Sequence, residues 1–380
     1  MRIALIGTTL FHQGAEFVLA TLARGLSVKG HDVTVILSKY QEDWQEQHPD
    51  WKPFELPPEV HVVVQPRRRA RESVFSFRKL IREGRFDVIM CHSGNYTYPL
   101  AVATLGMKRR PVLVHVEHSG TVGVDVDGRV IRSRWTPISW MKNLLKRRMD
   151  AQFAVSEGTS RAIARITGFP QKRIYTVYNP VLDEVFERKR RCAPRHPWLV
   201  EPKIPVIVAA GALCSIKNYS LLLRAFSKVV KVRKARLVIF GEGGEREFYL
   251  NLIKELGIED SVNLPGFTDN LPAELKSASG FVVSSKVESF SVVLVEALAS
   301  GVPVVSTNCP YGPAEILHSG QYGILVNNND LDALADGITF VLSGKGVAPR
   351  PEMVSQYTVG AVVDRYEQAL LDVMSRRDGN

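Results

Sequence analysis

The sequence predicts an α/β protein of two doubly wound parallel-sheet domains, and three observations predict it. Short β-branched runs alternate with helix-length amphipathic stretches from Arg2 to Tyr178, the pattern left by β-α-β crossovers. The alternation restarts at Val206 after a charged stretch, 187–205, that carries Pro194, Pro197, Pro202 and Pro205. That is linker composition. At 380 residues the chain also exceeds what one hydrophobic core usually supports. The expected organisation is a Rossmann-like domain over 1–186, a linker and hinge over 187–205, a second Rossmann-like domain over 206–355, and a helix within 356–380.

A hydrophobic content of 45% and a charged content of 23% are those of a folded, soluble protein. The formal charge of +10 calls for an acidic partner, whether nucleic acid, a phosphorylated ligand or an anionic membrane. Cys91, Cys192, Cys214 and Cys309 stand far apart with no C-x-x-C spacing, so neither a zinc site nor a disulfide framework is signalled and a reducing cytosol fits. Met1 leads directly into strand-forming sequence, and no apolar run is long enough to span a bilayer. The expectation is a cytoplasmic protein, peripheral at most on the inner face of the membrane.

In the first half, Arg2–Ile6 reads as a strand, Ala15–Lys29 as a helix with apolar residues at helical spacing, and His31–Leu37 as the next strand. The first turn, GTTLFHQGAE, spreads Gly7 and Gly14 over a long loop instead of G-x-G-x-x-G. That argues against a dinucleotide while allowing a ligand to approach Gly14 closely. Val60–Val64 is another strand, followed by an amphipathic basic stretch, Arg67–Arg85, that could lie on an anionic bilayer or simply pack its apolar face on the sheet. A second basic cluster, Arg129–Arg148, includes Trp135 and Trp140. The strands Phe86–Cys91 and Val112–Val116 run into HSGNYTY and EHSG. Ligands of open α/β sheets bind at the carboxyl ends of strands, which points His92, Ser93, His118 and Ser119 at a cleft. A histidine in such a place is usually structural, but beside Glu117 His118 could hold or deprotonate a hydroxyl. Asp125 and Asp127 offer a D-x-D, read first as part of a hairpin turn.

In the second half, the strand Val206–Ala210 opens into GALCSIKN, with Lys217 six residues after Gly211 and a helix from Tyr219. Close backbone and a mobile cation at the mouth of a helix suit a phosphate. Next come the strand Arg236–Phe240, a turn with Gly241 and Gly243, a helix through Leu256 and the strands Val262–Leu264 and Phe281–Ser285. The stretch after them, SSKVESFSVVLVEALASGVPVVSTNCPYGP, holds Glu288 and Glu296. A helix starting near Ser289 makes its first turn an anion site and puts Glu296 about two turns beyond Glu288. Taken alone, this E-x7-E pair would read as a helix-start acid and a solvated helix residue. Tyr357–Met374 reads as a closing amphipathic helix.

Together these motifs resemble the retaining glycosyltransferases of family four. HQGAEFVLATLARGLSVKGHDVTVI is similar to their glycine-rich loop and first helix, usually G-G-A-E-R-V, with Gln13 and Phe17 as substitutions. EHSG, VYNPV, FGEGGERE and CPYGPAEIL match further patterns of the family. The most specific mark is E-x7-E followed by ALASGVPVVST, and the resemblance covers nearly the whole chain. It implies the GT-B fold, two Rossmann-like doubly wound parallel-sheet domains facing a central cleft, with the last helix returning to the first domain. It implies a nucleotide diphosphate sugar, UDP-linked, as co-substrate, with no cofactor and no metal. Lys217 would bind the diphosphate, Glu288 the donor-sugar hydroxyls and Glu296 the ribose. Gly14, Gly211, Gly241, Gly243, Ser289, Phe290 and Ser291 would surround the donor. His118 would sit at the reacting centre, with Glu16, His92, Ser93 and Ser119 toward the acceptor.

The implied reaction moves a hexose or N-acetylhexosamine to a lipid-linked or cell-surface saccharide. Transfer to a small soluble acceptor is the alternative within enzymes. A nucleic-acid-binding protein would also account for the charge, but no recognition motif for it is present and none is expected as a partner. Two departures bear on donor affinity. Ala212 stands where the family commonly has arginine, and Ser289 and Ser291 stand where it has glycine, although a serine hydroxyl can cap a helix or bond a phosphate oxygen.

Overall fold

The computed structural model describes residues 1–11, 14–38, 40–47, 53–65, 70–118 and 144–378. They form two compact units. The first takes the described residues up to 118, 144–180 and from Val359 onward; the second runs from Val181 to Thr358.

The first unit is built on β1 (Arg2–Ile6), β2 (Asp32–Leu37), β3 (His61–Val64), β4 (Val88–Cys91), β5 (Val112–Glu117), β6 (Ala151–Ala154) and β7 (Ile174–Thr176). They pair in parallel in the order β3-β2-β1-β4-β5-β6-β7. Parallel strands need crossover helices, which cover both faces, so the strands are apolar on both sides. On one face Leu5, Val35, Met90 and Val114 pack with the helices Gly14–Val28 and Val359–Asp378. On the other, Ile6, Ile36, Ile89 and Leu113 pack with Phe77, Leu100 and Ile163 from the helices Val74–Gly84, Gly94–Ala103 and Glu157–Thr167. The closing helix fits against Gly25, where a Cβ would stand 2.5 Å from a Val363 methyl. Near its end it is tied to β7 by Tyr175 Oη, which donates to Asp372 at 2.5 Å.

The second unit contains β8 (Val206–Ala210), β9 (Arg236–Phe240), β10 (Val262–Gly266), β11 (Gly280–Val283), β12 (Val304–Thr307) and β13 (Ile324–Val326). Again all pairings are parallel, in the order β10-β9-β8-β11-β12-β13. In both sheets the chain order reverses beside the first strand, between β1 and β4 and between β8 and β11. Outgoing loops diverge at such a reversal and leave a crevice outside the carboxyl ends of the strands.

Two stretches differ from the sequence reading. HSGNYTYPLAVA is helical from Gly94 to Ala103, its periodicity hidden by Pro99 and by Thr97, a polar residue that is fully buried. Within 187–205, the helix Glu184–Arg191 runs to Arg191, capped by Asp183, which accepts from Phe186 N at 2.8 Å. Phe186 and Leu199 are buried, and the Glu274 carboxylate accepts from Arg195 N at 3.0 Å and His196 N at 3.2 Å. Among the described residues, no helix is long and apolar enough to cross a membrane.

Candidate active site

The crevice of the second sheet is built from glycines first. Gly211 and Gly241, leaving β8 and β9, hold φ of 148° and 147°, a region that L side chains rarely enter. They are also in close contact, since a Cβ on Gly241 would lie 2.0 Å from Gly211 O, and one on Gly243 would lie 2.5 Å from Leu213 O. Leu213 N donates to Glu242 O at 2.9 Å and Glu245 N to Leu213 O at 3.1 Å, locking the two loops together. Tyr219, which the sequence reading passed over, donates from its hydroxyl to Gly211 O at 3.2 Å and braces the loop from below.

Lys217 ends a short turn, Ser215–Lys217, on the β8 side of the reversal; Glu288 follows β11 on the other side. The two meet, with Lys217 Nζ 2.6 Å from Glu288 Oε1. Ser285 Oγ donates to the same oxygen at 2.8 Å. Behind them Ser284 Oγ donates to Lys217 O at 2.8 Å and Lys286 N to Ile216 O at 2.8 Å, so the loops are zipped by backbone as well. Burial works to lower the Lys217 ammonium, but the charge and hydrogen bond of Glu288 outweigh it and leave Lys217 above the ordinary lysine value. Glu288 is fixed by its backbone too: its carbonyl accepts from Tyr311 N at 2.8 Å and Gly312 N at 2.9 Å.

The helix after Glu288 runs Val292–Ala299, starting three residues later than expected. Ser289 and Phe290 lie in the loop before it, and the Phe290 ring turns inward to meet Tyr357 edge-on at 5.4 Å. Ser291 occupies the N-cap position in extended geometry, yet its hydroxyl does not cap. It is 4% exposed and has no hydrogen-bond partner among the described residues. A buried hydroxyl without a partner among the described residues, beside the N–H groups of a helix start, has the chemistry to donate to an oxyanion. Farther along the same helix Glu296 is half-buried, and nothing among the described residues donates to its carboxylate. Burial pushes it up to about 7, against the opposing charge of Lys189.

In the first unit Gly14 opens the helix Gly14–Val28, exposed and with open space where a Cβ would point. Glu16 is half-buried in the first turn, and burial raises it, a hydrogen bond with its own backbone opposing. At the carboxyl ends of β4 and β5, His92 Nδ1 lies 2.9 Å from His118 Nε2, with the ring centroids 5.1 Å apart and the planes at 23°. Ser93, at the N-cap of the helix Gly94–Ala103, is reached by Thr8 Oγ1 at 3.5 Å. His115, missed in the sequence because it sits inside an apolar strand, has Nδ1 2.9 Å from Thr97 Oγ1 and Nε2 3.3 Å from Glu117 Oε2. Lys146 Nζ stands 3.9 Å from that carboxylate oxygen. Ser119, Asp125, Asp127 and Arg129 through Asn143 lie outside the described residues, as do Arg67–Arg69. Among the described residues, no cluster of histidine, cysteine or carboxylate could hold a metal.

Each unit is matched by a family model. Residues 195–359 match the glycosyl transferases group 1 and residues 12–184 match glycosyltransferase family 4. The chain belongs to the family 4 glycosyltransferases.

Among relatives of this glycosyltransferase, the N-acetyl-α-D-glucosaminyl L-malate synthase of Bacillus anthracis is 29% identical over 217 residues, 56% of each chain. An uncharacterized glycosyltransferase of Methanocaldococcus jannaschii is 27% identical over 86% of this chain and 84% of its own. A Campylobacter jejuni N-acetylgalactosaminyltransferase, named for its diacetylbacillosaminyl-diphospho-undecaprenol acceptor, is 35% identical over 36% of this chain and 37% of its own. The chain spans 56% or less of the length of several curated relatives that it matches. In fold it is similar to the Anabaena protein HepE, solved in complex with UDP, at a TM-score of 0.69 and 19% identity over 100% of this chain and 99% of that one. The solved neighbours are GT-B glycosyltransferases, and GT-B is the fold of this chain.

Proposed function

We propose that this glycosyltransferase moves a hexose or N-acetylhexosamine, with retention at the anomeric carbon, from a UDP-linked sugar to a saccharide acceptor on a lipid carrier or cell-surface polymer. The observation that carries the reading is the Lys217–Glu288 pair at the sheet reversal, beside a helix start whose Ser291 hydroxyl lacks a partner among the described residues. An ammonium and free N–H groups suit a diphosphate. A carboxylate beside them suits sugar hydroxyls, and Glu296 farther along suits a ribose. UDP bound to the solved neighbour supports the base, and the acceptor named for the Campylobacter relative supports a lipid carrier.

In this mechanism the second unit holds the donor and the first the acceptor. The bond from the anomeric carbon to the diphosphate oxygen breaks as the acceptor hydroxyl bonds to the same face. The departing phosphate oxygen takes the hydroxyl proton, giving UDP and the glycoside. Lys217 and the helix start neutralise the charge that develops on the leaving group. No step calls on an enzyme nucleophile or a metal.

The helix Val74–Gly84 supports a peripheral site on an anionic membrane. Phe77 and Ile81 hold it to the sheet, while Phe75 stands 85% exposed on a helix that also carries Lys79 and Arg82. A small soluble acceptor is the second reading, favoured by the malate synthase relative. Thermal shifts across UDP-, GDP- and ADP-sugars, followed by partition of labelled product between butanol and water, test the base and the acceptor. Stabilisation by UDP-sugars and product in butanol are expected. Stabilisation by GDP- or ADP-sugars alone overturns the base, and labelled product only in water overturns the lipid acceptor.

A further inference from the structure

The first sheet has a concavity at its foot, the end opposite the histidines. It has a volume of about 270 Å³ and is lined by residues entering β4 and β5, with Met374 and Arg377 from the end of the closing helix. β5 is six residues long, and at about 3.3 Å per residue it holds this concavity roughly 20 Å from the crevice at its other end. Four cations line it: Lys108, Arg109, Arg110 and Arg377. Arg110 Nη1 and Nη2 donate to Asp150 at 2.6 and 2.8 Å, and Leu113 N donates to the same carboxylate at 2.8 Å, which fixes the loop. Arg377 Nη2 donates to Arg110 O at 2.6 Å. A carbonyl oxygen positions that guanidinium without cancelling its charge, and its other N–H groups have no partner among the described residues. Lys108 and Arg109 are exposed, with no hydrogen bond or ion pair among the described residues. The lining carboxylate, Asp87, accepts from Arg2 N at 2.8 Å. With Asp150 set against Arg110 and Asp87 against one other cation, two positive charges are left over.

The wall beside these cations is apolar. Phe86 and Met374 are half-buried, and the Phe86 ring lies over Gly84, where a Cβ would come 2.3 Å from it. The ring thus packs on the end of the helix Val74–Gly84 and lines the concavity at once. We propose that this concavity binds the phosphate group of a phosphate ester. Two unmatched positive charges answer the charge of a phosphate monoester near pH 7. Guanidinium forks match phosphate oxygens in pairs, and the apolar wall takes the organic part of the ester. A lipid headgroup and a soluble ester offer the same chemistry here. A lipid would bring its phosphate beside the helix Val74–Gly84, which Arg78 ties to this end of the unit by donating to Ala103 O at 2.9 Å and Leu105 O at 2.7 Å. The site does not depend on the donor reading, since all its residues belong to the first unit.

The test compares the full chain with the double variant Lys108→Ser, Arg109→Ser. Its thermal unfolding should be unchanged, because both side chains are exposed and make no contact that the fold would lose. In calorimetric titration at low salt, sn-glycerol 3-phosphate should bind the unaltered protein and bind the double variant about tenfold more weakly or worse, with glycerol as the blank. Arg377→Lys keeps the charge but loses the planar fork, and should weaken the same binding about 3–10-fold, the size of one hydrogen bond. Sedimentation with phosphatidylglycerol vesicles identifies the source of the phosphate. The control is Lys231→Ser with Lys234→Ser, which removes equal charge from exposed positions of the second unit. A lipid headgroup predicts that the double variant sediments less than this control. A soluble ester predicts that the two sediment alike while glycerol 3-phosphate binding is lost. The proposal is overturned if glycerol 3-phosphate binds the unaltered protein and the double variant equally, or neither, and the double variant also sediments like the control.

Discussion

Lys217 Nζ and Glu288 Oε1 lie 2.6 Å apart although their residues are 71 positions apart in the chain. The contact leaves hydrogen-bonding capacity on both groups. Oε1 takes both Lys217 and Ser285, while Oε2 accepts from none of the described residues. Lys217 has three N–H groups and uses one on Glu288. One carboxylate oxygen and two ammonium hydrogens therefore remain available at the sheet reversal.

Replacing either member should cripple transfer. Lys217→Ala and Glu288→Ala are each expected to lower the rate of UDP release about 10²–10³-fold, the usual effect of deleting one electrostatic group from a reaction site. Lys217→Ala also strips a partner from a partly buried carboxylate and should cost about 1–3 kcal/mol in urea unfolding. Initial rates and denaturation curves measure the two effects separately. Full activity in both variants would remove the pair from the site.

Ser291 separates a capping role from a binding role. A true N-cap serine costs about 1 kcal/mol when changed to alanine, but this hydroxyl makes no cap. Ser291→Ala should leave the melting temperature unchanged or slightly higher, because an unsatisfied buried hydroxyl is removed, while weakening UDP by roughly 3–10-fold in calorimetric titration. A drop in stability at unchanged UDP affinity would make it a structural serine.

The strands were legible because parallel strands buried on both faces leave unbroken β-branched runs, as in Val206–Ala210 and Val304–Thr307. The start of the helix at Val292 was not, because Phe290 reads as the first apolar residue of a helix but turns inward to Tyr357. Lys217 and Glu288 were legible one at a time, through their motifs. Their contact, and the part Ser285 plays in it, depends on β8 and β11 being neighbours, which no local pattern announces. His92 and His118 were both aimed at the same crevice by their strand ends, but their hydrogen bond follows from the register of β4 on β5. In 187–205 the prolines and charges conceal Leu199, a single buried anchor.

Membrane association is expected to depend on the outer face of the helix Val74–Gly84. Phe75→Ser with Lys79→Glu and Arg82→Glu should release the protein from phosphatidylglycerol vesicles, each cation contributing about 1 kcal/mol near an anionic surface. The fold should survive, since Phe75 is 85% exposed while Phe77 and Ile81 anchor the helix. Vesicle sedimentation at low and physiological salt measures the effect, with phosphatidylcholine as the neutral control. Unchanged binding of the triple variant would move the contact elsewhere.

In the proposed donor site Glu296 would carry a pH dependence whose sign can be worked out. Burial raises its carboxyl from 4.5 to about 7, and Lys189 opposes the rise. Between those values the unfolded chain has released the proton while the folded chain still holds it. Stability from this group is therefore fully present below pH 4.5 and is lost as pH rises through about 7. Ribose hydroxyls would donate to the ionised carboxylate, so UDP binding should release a proton there and strengthen with pH until it levels off above about 7. Glu296→Gln should flatten both the fall in stability and the rise in affinity. Lys189→Met, which removes the opposing charge, should move both inflections to higher pH. Thermal unfolding with and without UDP across this range reads the two curves together, and a UDP affinity that does not vary with pH in the unaltered protein would take Glu296 out of the donor site.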